Sequence, residues 1–229
     1  MPTTGLRPRL DAGAALLFDL DGTLIDSAPD LAAAANAMRH ARGLATLPLQ
    51  TLRVHVGSGA RGMVGAAFGL VPGDPGYEPL RDEFLQRYSQ ALLVHTQIFD
   101  AMLPVLGGLQ RAGRAWGIVT NKALALARPI VQHLQPLQAA ASLVAGDSTP
   151  HRKPHPAPLL EAARQLGLDA ERCAYVGDDP RDIAAGRAAG MTTLAAGWGY
   201  LGDALPIEEW GADAVLASPR ELLDLFDLA

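Results

Sequence analysis

The sequence predicts an α/β protein, a parallel sheet covered by helices, with a helical unit inserted near its start. Three observations lead there. Short apolar runs alternate with amphipathic, Ala- and Leu-rich stretches, as in sheets whose strands are joined by covering helices. The 229 residues exceed one ordinary domain but fall short of two, which suits one domain carrying an insertion. About 95 residues separate the first apolar run from the second, whereas a crossover between parallel strands needs only about a dozen.

Taken in order, Ala14–Phe18 is the first expected strand. Ala115–Val119, Ser142–Ala145, Cys173–Val176, Thr192–Ala195 and Ala214–Leu216 follow, each a short apolar run that ends in polar or Gly residues. In the long gap after the first strand, Asp30–Arg42, Gln50–Val56, Ala60–Phe68 and Tyr77–Leu93 read as helices. They are broken by Gly43, by the GSG of 57–59 and by the VPGDPG of 71–76. Ser27 with Asp30 three positions on resembles a capping box, and Pro29 suits a first turn, so a helix is expected to begin here. The expected division is a core of residues 1–27 and 96–229 and a helical insert of residues 28–95.

Hydrophobic residues make up 49% of the chain and charged residues 19%, a composition that supports a packed core and excludes a disordered or solvating protein. The net charge of -5 leaves no basic footprint, so neither nucleic acid nor a membrane is an expected partner. Ala12 to Phe18 is too short for a signal peptide and runs straight into Asp19 and Asp21. No apolar run approaches the ~18 residues of a membrane span. Cys173 is the only cysteine, which excludes an intrachain disulfide and fits the reducing cytoplasm where the protein is expected. Its CAYV run marks a buried structural thiol. A monomer or a homodimer fits these features.

Four short motifs carry chemistry. Asp19-Leu20-Asp21-Gly22-Thr23 directly follows the first strand, which puts two carboxylates where open α/β sheets bind ligands, and Gly22 lets the chain turn there. A DxDG turn by itself also occurs in solvated and calcium-binding loops. Val119-Thr120-Asn121-Lys122 ends the second strand and offers a hydroxyl, an amide and backbone N–H groups to phosphoryl oxygens, or else caps the next helix. Of 19 Lys and Arg residues only Lys122 and Lys153 are lysines. Lys153, in Arg152-Lys153-Pro154-His155-Pro156, is either a compact ammonium placed where a guanidinium would not fit or a surface lysine. Gly177-Asp178-Asp179-Pro180-Arg181-Asp182 follows the CAYV strand and opens a helix. Clustered carboxylates repel by about 4 kcal/mol for unit charges roughly 4 Å apart at an effective dielectric near 20, and a hard cation relieves that. Octahedral Mg²⁺, bound by one or two carboxylates, water and a phosphate oxygen, fits better than an all-protein calcium cage. One of Asp178 and Asp179 is expected to cap the helix.

In this order and at these places, DLDGT, VTN, the Lys153 stretch and GDDPRD resemble the four motifs of the haloacid dehalogenase superfamily. The resemblance covers essentially the whole chain, including the site and size of a helical cap after the first motif. It implies a Rossmann-like core, the insert 28–95 as a cap domain, and a Mg²⁺-dependent phosphomonoesterase acting on a small phosphorylated metabolite. Asp19 would be the nucleophile that forms an aspartyl-phosphate, and Asp21 would protonate the leaving alcohol and then activate water. Thr120 would bind the transferring phosphoryl group, with the Asn121 backbone and Thr23 beside it, and Lys153 would neutralise its charge. Mg²⁺ would be held by the Asp19 carboxylate, the Asp21 backbone carbonyl and Asp178, with Asp182 orienting metal-bound water.

Asp21 sets the chain apart from the dehalogenases and transport ATPases of the superfamily, which lack an aspartate there. Residues 28–95 contain no lysine, so the Schiff base of the phosphonatases is excluded. A sugar-phosphate mutase and a non-enzymatic phosphate-sensing protein remain as alternatives. Within the superfamily the chain looks like the phosphoglycolate phosphatases, and more closely like the bacterial N-acetylmuramic acid 6-phosphate phosphatases of cell-wall recycling. The basis is local: Ala37-Met38-Arg39, Arg42-Gly43-Leu44, Ser58-Gly59-Ala60 with Met63-Val64, Val94-His95 with Phe99-Asp100, Trp116-Gly117 and Gly199-Tyr200. Arg61 stands where the pattern has lysine. Both substrates pair a phosphate with a carboxylate, for which Arg61, Arg53 or His55 is the expected cap cation.

Overall fold

The computed structural model describes residues 14–202 and 205–228. Strand β1 (Ala15–Phe18) is followed by a short β2 (Ile25–Asp26) and by helices α1 (Ala28–His40), α2 (Leu49–Arg53), α3 (Gly59–Phe68) and α4 (Tyr77–Gln90). Next come β3 (Gln97–Ile98), α5 (Leu103–Arg111), β4 (Trp116–Val119), α6 (Leu124–His133), β5 (Ser142–Val144) and α7 (Ala157–Leu166). The chain finishes with β6 (Cys173–Gly177), α8 (Pro180–Ala188), β7 (Thr192–Ala196), β8 (Ala214–Leu216) and α9 (Glu221–Leu225).

The six expected strands form one parallel sheet in the order β5-β4-β1-β6-β7-β8. This is the Rossmann-like order, and its direction of winding reverses between β1 and β6, where such sheets open a ligand crevice. Every residue of β1 and β4 is buried, because helices cover both faces of a parallel sheet. Alternate residues of β1 serve different cores: Leu16 and Phe18 pack with α5 and α9, Ala15 and Leu17 with α7 and α8. Cys173 is fully buried at the start of β6, and burial pushes its thiol up. Among the described residues no helix is long and apolar enough to cross a membrane.

Helices α1–α4 gather around an apolar cluster of their own, built on Met38, Leu52, Met63, Phe84 and Tyr88. The chain leaves for these helices and returns from them through an antiparallel pair, Ile25 opposite Ile98 and Asp26 opposite Gln97. Sequence patterning shows no strand at either place, because two residues have no periodicity and their partners lie far apart in the chain. Helix α4 stops at Gln90, short of the expected Leu93, where Ala91 leaves helical geometry.

The expected capping box at Ser27 is not formed. Helix α1 does start there with Pro29 in its first turn, but no side chain of its own caps it. The Ser27 and Ala28 N–H groups donate instead to the Tyr200 hydroxyl, at 2.8 and 3.0 Å. Asp30 is turned the other way, toward the returning chain, where its buried carboxylate accepts from the His95 N–H, the Thr96 N–H and the Thr96 hydroxyl at 2.7–3.0 Å. The motif fails because a tertiary partner offers Asp30 more donors than the helix end does. Replacing Asp30 by Ala strands those donors, and unpaired buried donors cost about 1–3 kcal/mol each; urea unfolding of Asp30→Ala is expected to show a loss of about 3 kcal/mol.

Candidate active site

The segments that follow β1, β4, β5 and β6 converge on the C-terminal edge of the sheet. Asp19 directly follows β1 and Thr120 directly follows β4, while the loop after β5 carries Lys153 to the same point. Only 3% of Lys153 is exposed. Its ammonium donates to Asp19 Oδ1 at 2.9 Å, the Val119 carbonyl at 3.0 Å and the Tyr175 hydroxyl at 2.7 Å, and pairs with Asp182 Oδ1 at 2.7 Å. The Tyr175 hydroxyl in turn donates to the Val119 carbonyl at 2.8 Å. Asn121 sets the loop, since its side-chain amide exchanges two hydrogen bonds with the Lys153 backbone, both at 3.0 Å.

Asp178 ends the run from β6, packed against two glycines. A Cβ on either Gly22, at φ +86°, or Gly199 would collide with its carboxylate, so both positions require a residue without one. The Thr23 hydroxyl donates to Asp178 Oδ1 and the Tyr200 N–H to Oδ2, both at 2.8 Å. Thr23, expected among the substrate contacts, is therefore a fully buried support for a carboxylate. Asp179 is the residue that caps α8: its carboxylate accepts from the Arg181 N–H at 2.9 Å, and Asp182 accepts from the Asp179 N–H at 3.1 Å. Burial works against ionising Asp179, but hydrogen bonds from Arg181 hold its carboxyl below the usual range.

Asp19, Asp178 and Asp182 each offer an oxygen within 4.8 Å of the others. Burial raises all three above the ordinary carboxyl value. For Asp178 the neighbouring Asp19 and Asp182 add to it; for Asp182, pushed up to about 7, Lys153 opposes and Asp19 adds. Asp182 and Asp19 keep the buried Lys153 charged, raising it against the cost of burial.

Asp21 lies beside this group, not in it. Its Oδ1 accepts from the Ser27 hydroxyl at 2.5 Å and from the Lys122 ammonium at 2.8 Å, and Oδ2 is 3.0 Å from the same ammonium. Thr120 is nearly fully buried, and its hydroxyl accepts from the Lys122 N–H at 3.1 Å. Above these groups a cavity of ≈ 730 Å³ opens between the sheet edge and α3 and α4. Arg61, exposed on α3, lines it together with Arg81, Arg152 and Arg181. Arg53 is committed elsewhere, to a two-point pair with Asp26 at 2.7 and 3.0 Å. The structure thus brings Asp19, Asp21, Thr120, Lys153, Asp178 and Asp182 together, places Asn121 on the same cavity with its side chain on the Lys153 backbone, and leaves Arg61 on the cavity wall. Tyr175, Tyr200 and Lys122 took no part in the roles expected from sequence; of these only Lys122, one of two lysines, carried a signal.

A family model of haloacid dehalogenase-like hydrolases matches residues 16–196, from the middle of β1 to the end of β7. The chain belongs to that family. It is 46% identical over 94% of its length to an N-acetylmuramic acid 6-phosphate phosphatase of Pseudomonas aeruginosa, covering 95% of that protein. It is also 49% identical over 91% of its length to a phosphoglycolate phosphatase of Xanthomonas campestris, covering 94% of it. A crystal structure of a predicted phosphoglycolate phosphatase from Haemophilus somnus superposes with a TM-score of 0.82 at 25% identity, over 94% of this chain and 99% of that one. This haloacid dehalogenase-like hydrolase is a phosphoric monoester hydrolase.

The raised carboxyl values have a consequence for stability. Without a bound cation the folded protein retains protons, between about pH 4 and about pH 7, that the unfolded chain has released. That contribution is full below the unfolded value and is lost as pH rises through the folded one. The melting temperature of the chelator-treated protein is therefore expected to fall between about pH 4 and about pH 7, a trend that scanning calorimetry reads directly.

Proposed function

We propose that the protein hydrolyses N-acetylmuramic acid 6-phosphate through an aspartyl-phosphate, with Mg²⁺ bound at the carboxylate cluster. In this reading residues 1–27 and 96–229 are the catalytic core and residues 28–95 the cap. The cavity carries the substrate assignment. At ≈ 730 Å³ it is in the range of sites that enclose a sugar-sized ligand, and a two-carbon phosphoester would fill little of it. Arg61 and Arg152 on its wall suit a substrate bearing both a phosphate and a carboxylate, while Arg81 and Arg181 are paired with Asp82 and Asp179. Phosphoglycolate is the second reading, favoured by the 49% identity to a relative of that name.

Asp19 is the nucleophile. One of its oxygens attacks phosphorus while the ester P–O bond breaks, and Asp21 gives a proton to the departing alcohol oxygen. Asp21 then takes a proton from the water that attacks the phosphoryl group, and the bond to Asp19 breaks. Thr120 and the Asn121 backbone hold the phosphoryl oxygens, and Lys153 balances their charge while fixing Asp19. Three carboxylates within 4.8 Å, two of them buried and Asp19 partly so, each raised by burial, are a donor set suited to a hard divalent cation. Asp19, Asp178 and the Asp21 backbone carbonyl would hold Mg²⁺, and Asp182 would orient its water. Such an ion supplies charge stabilisation for the transferring phosphoryl group.

Asp19→Asn keeps the shape of the site but removes the attacking anion, so kcat is expected to fall by about 10⁴-fold or more; activity within tenfold of wild type would remove the nucleophile assignment. For substrate, kcat/KM is expected to be higher on N-acetylmuramic acid 6-phosphate than on 2-phosphoglycolate, and Arg61→Ala should lower the former by about tenfold. A preference for phosphoglycolate overturns the substrate reading, while an unchanged Arg61→Ala overturns only the role of Arg61.

A further inference from the structure

We propose that Lys122 is a positioning residue for Asp21, and that the ring of Tyr88 on α4 holds Lys122 in place, so proton transfer at Asp21 requires α4 to be seated over the site. The inference rests on the reading of Asp21 as the proton-transfer residue.

Two backbone hydrogen bonds anchor Lys122 between the ends of β4 and β5. Its N–H donates to the Thr120 hydroxyl at 3.1 Å, and its carbonyl accepts from the Gly146 N–H at 2.9 Å. The side chain, 7% exposed, runs from there to Asp21, and its ammonium meets both carboxylate oxygens at 2.8 and 3.0 Å. On the far side it sits 4.8 Å from the centroid of the Tyr88 ring, which is itself buried in the apolar cluster of α1–α4. The face of that ring is a favourable seat for a cation. One ammonium thus joins an acid of the sheet edge to a helix of the other cluster.

The contacts also distinguish the two oxygens of Asp21. Oδ1 accepts from both Ser27 and Lys122, which occupies its two lone pairs. Oδ2 has only the longer bond to Lys122 and keeps a lone pair for the proton it gives to the alcohol oxygen and later recovers from water. Lys122 exchanges no proton in this scheme. Its work is to hold the carboxylate at one angle, for which a compact ammonium suits better than a forked guanidinium.

A residue that acts through a general acid matters most when the leaving group needs a proton. The test compares kcat/KM on an alkyl phosphate and on 4-nitrophenyl phosphate, whose phenolate leaves without acid help, for wild type, Asp21→Asn, Lys122→Met and Tyr88→Leu. Lys122→Met is expected to lose about 100-fold more on the alkyl than on the aryl ester, and Tyr88→Leu about tenfold more. Thermal melts confirm folding, and Lys122→Gln replaces Lys122→Met if that variant does not fold. If Asp21→Asn is selective for the alkyl ester while the Lys122 variant loses equally on both, or nothing on either, the positioning role is overturned and the acid reading of Asp21 stands. If Asp21→Asn is not selective, both are overturned. A wild-type ratio in Tyr88→Leu removes the dependence on α4.

Discussion

Three carboxylates held within a few ångströms of one another, two of them buried, repel strongly unless positive charge is buried with them, and Lys153 is the charge this fold brings in. Its ammonium pairs with Asp19 and Asp182 and donates to a carbonyl and a phenol hydroxyl. Lysine rarely occupies such a place unless every donor is used, because an unpaired buried charge costs several kcal/mol. The surroundings are arranged to that end. Asn121 holds the backbone of Lys153, and Tyr175 reaches across from β6 to meet its ammonium. One cation against three carboxylates leaves a negative excess, which suits a hard divalent cation.

The same economy of contacts links the two apolar clusters. Tyr200 packs into the cluster of α1–α4 while its N–H holds Asp178 and its hydroxyl accepts from the start of α1. Arg181 pairs with Asp179 and also donates to the Gly57 carbonyl at 2.5 Å. Asp30 ties the start of α1 to the returning chain at His95 and Thr96. These polar contacts fasten the helices to the rest of the fold, and the cavity between them is enclosed mainly by side chains of α3 and α4 and of the loops that carry Asp19, Thr120 and Lys153.

The sheet was legible residue by residue because its strands are short, apolar and bounded by polar or Gly residues, so each of the six expected runs appears within one residue of its observed ends. The four motifs were legible for a related reason: each sits immediately after a strand or ahead of a helix, where main-chain geometry alone brings it to one edge of the sheet. The helices α1–α4 were placed by their Gly and Pro breaks, with ends that differ by up to three residues.

What the sequence by itself determined, then, is the α/β class, the order of the strands along the chain, the run of helices between the first two long strands, and which four motifs come to one edge of the sheet. Tertiary structure decided the pairings. Ser27 and Asp30 match a capping box in sequence, yet one donates to Asp21 and the other accepts from the returning chain. Thr23 supports Asp178 instead of facing the cavity, Lys122 pairs with Asp21, and Arg53, an expected cap cation, pairs with Asp26. A side chain's partner depends on which donors and acceptors packing brings within about 3 Å, and those lie as many as 175 residues away along the chain. Local pattern carries no record of that distance.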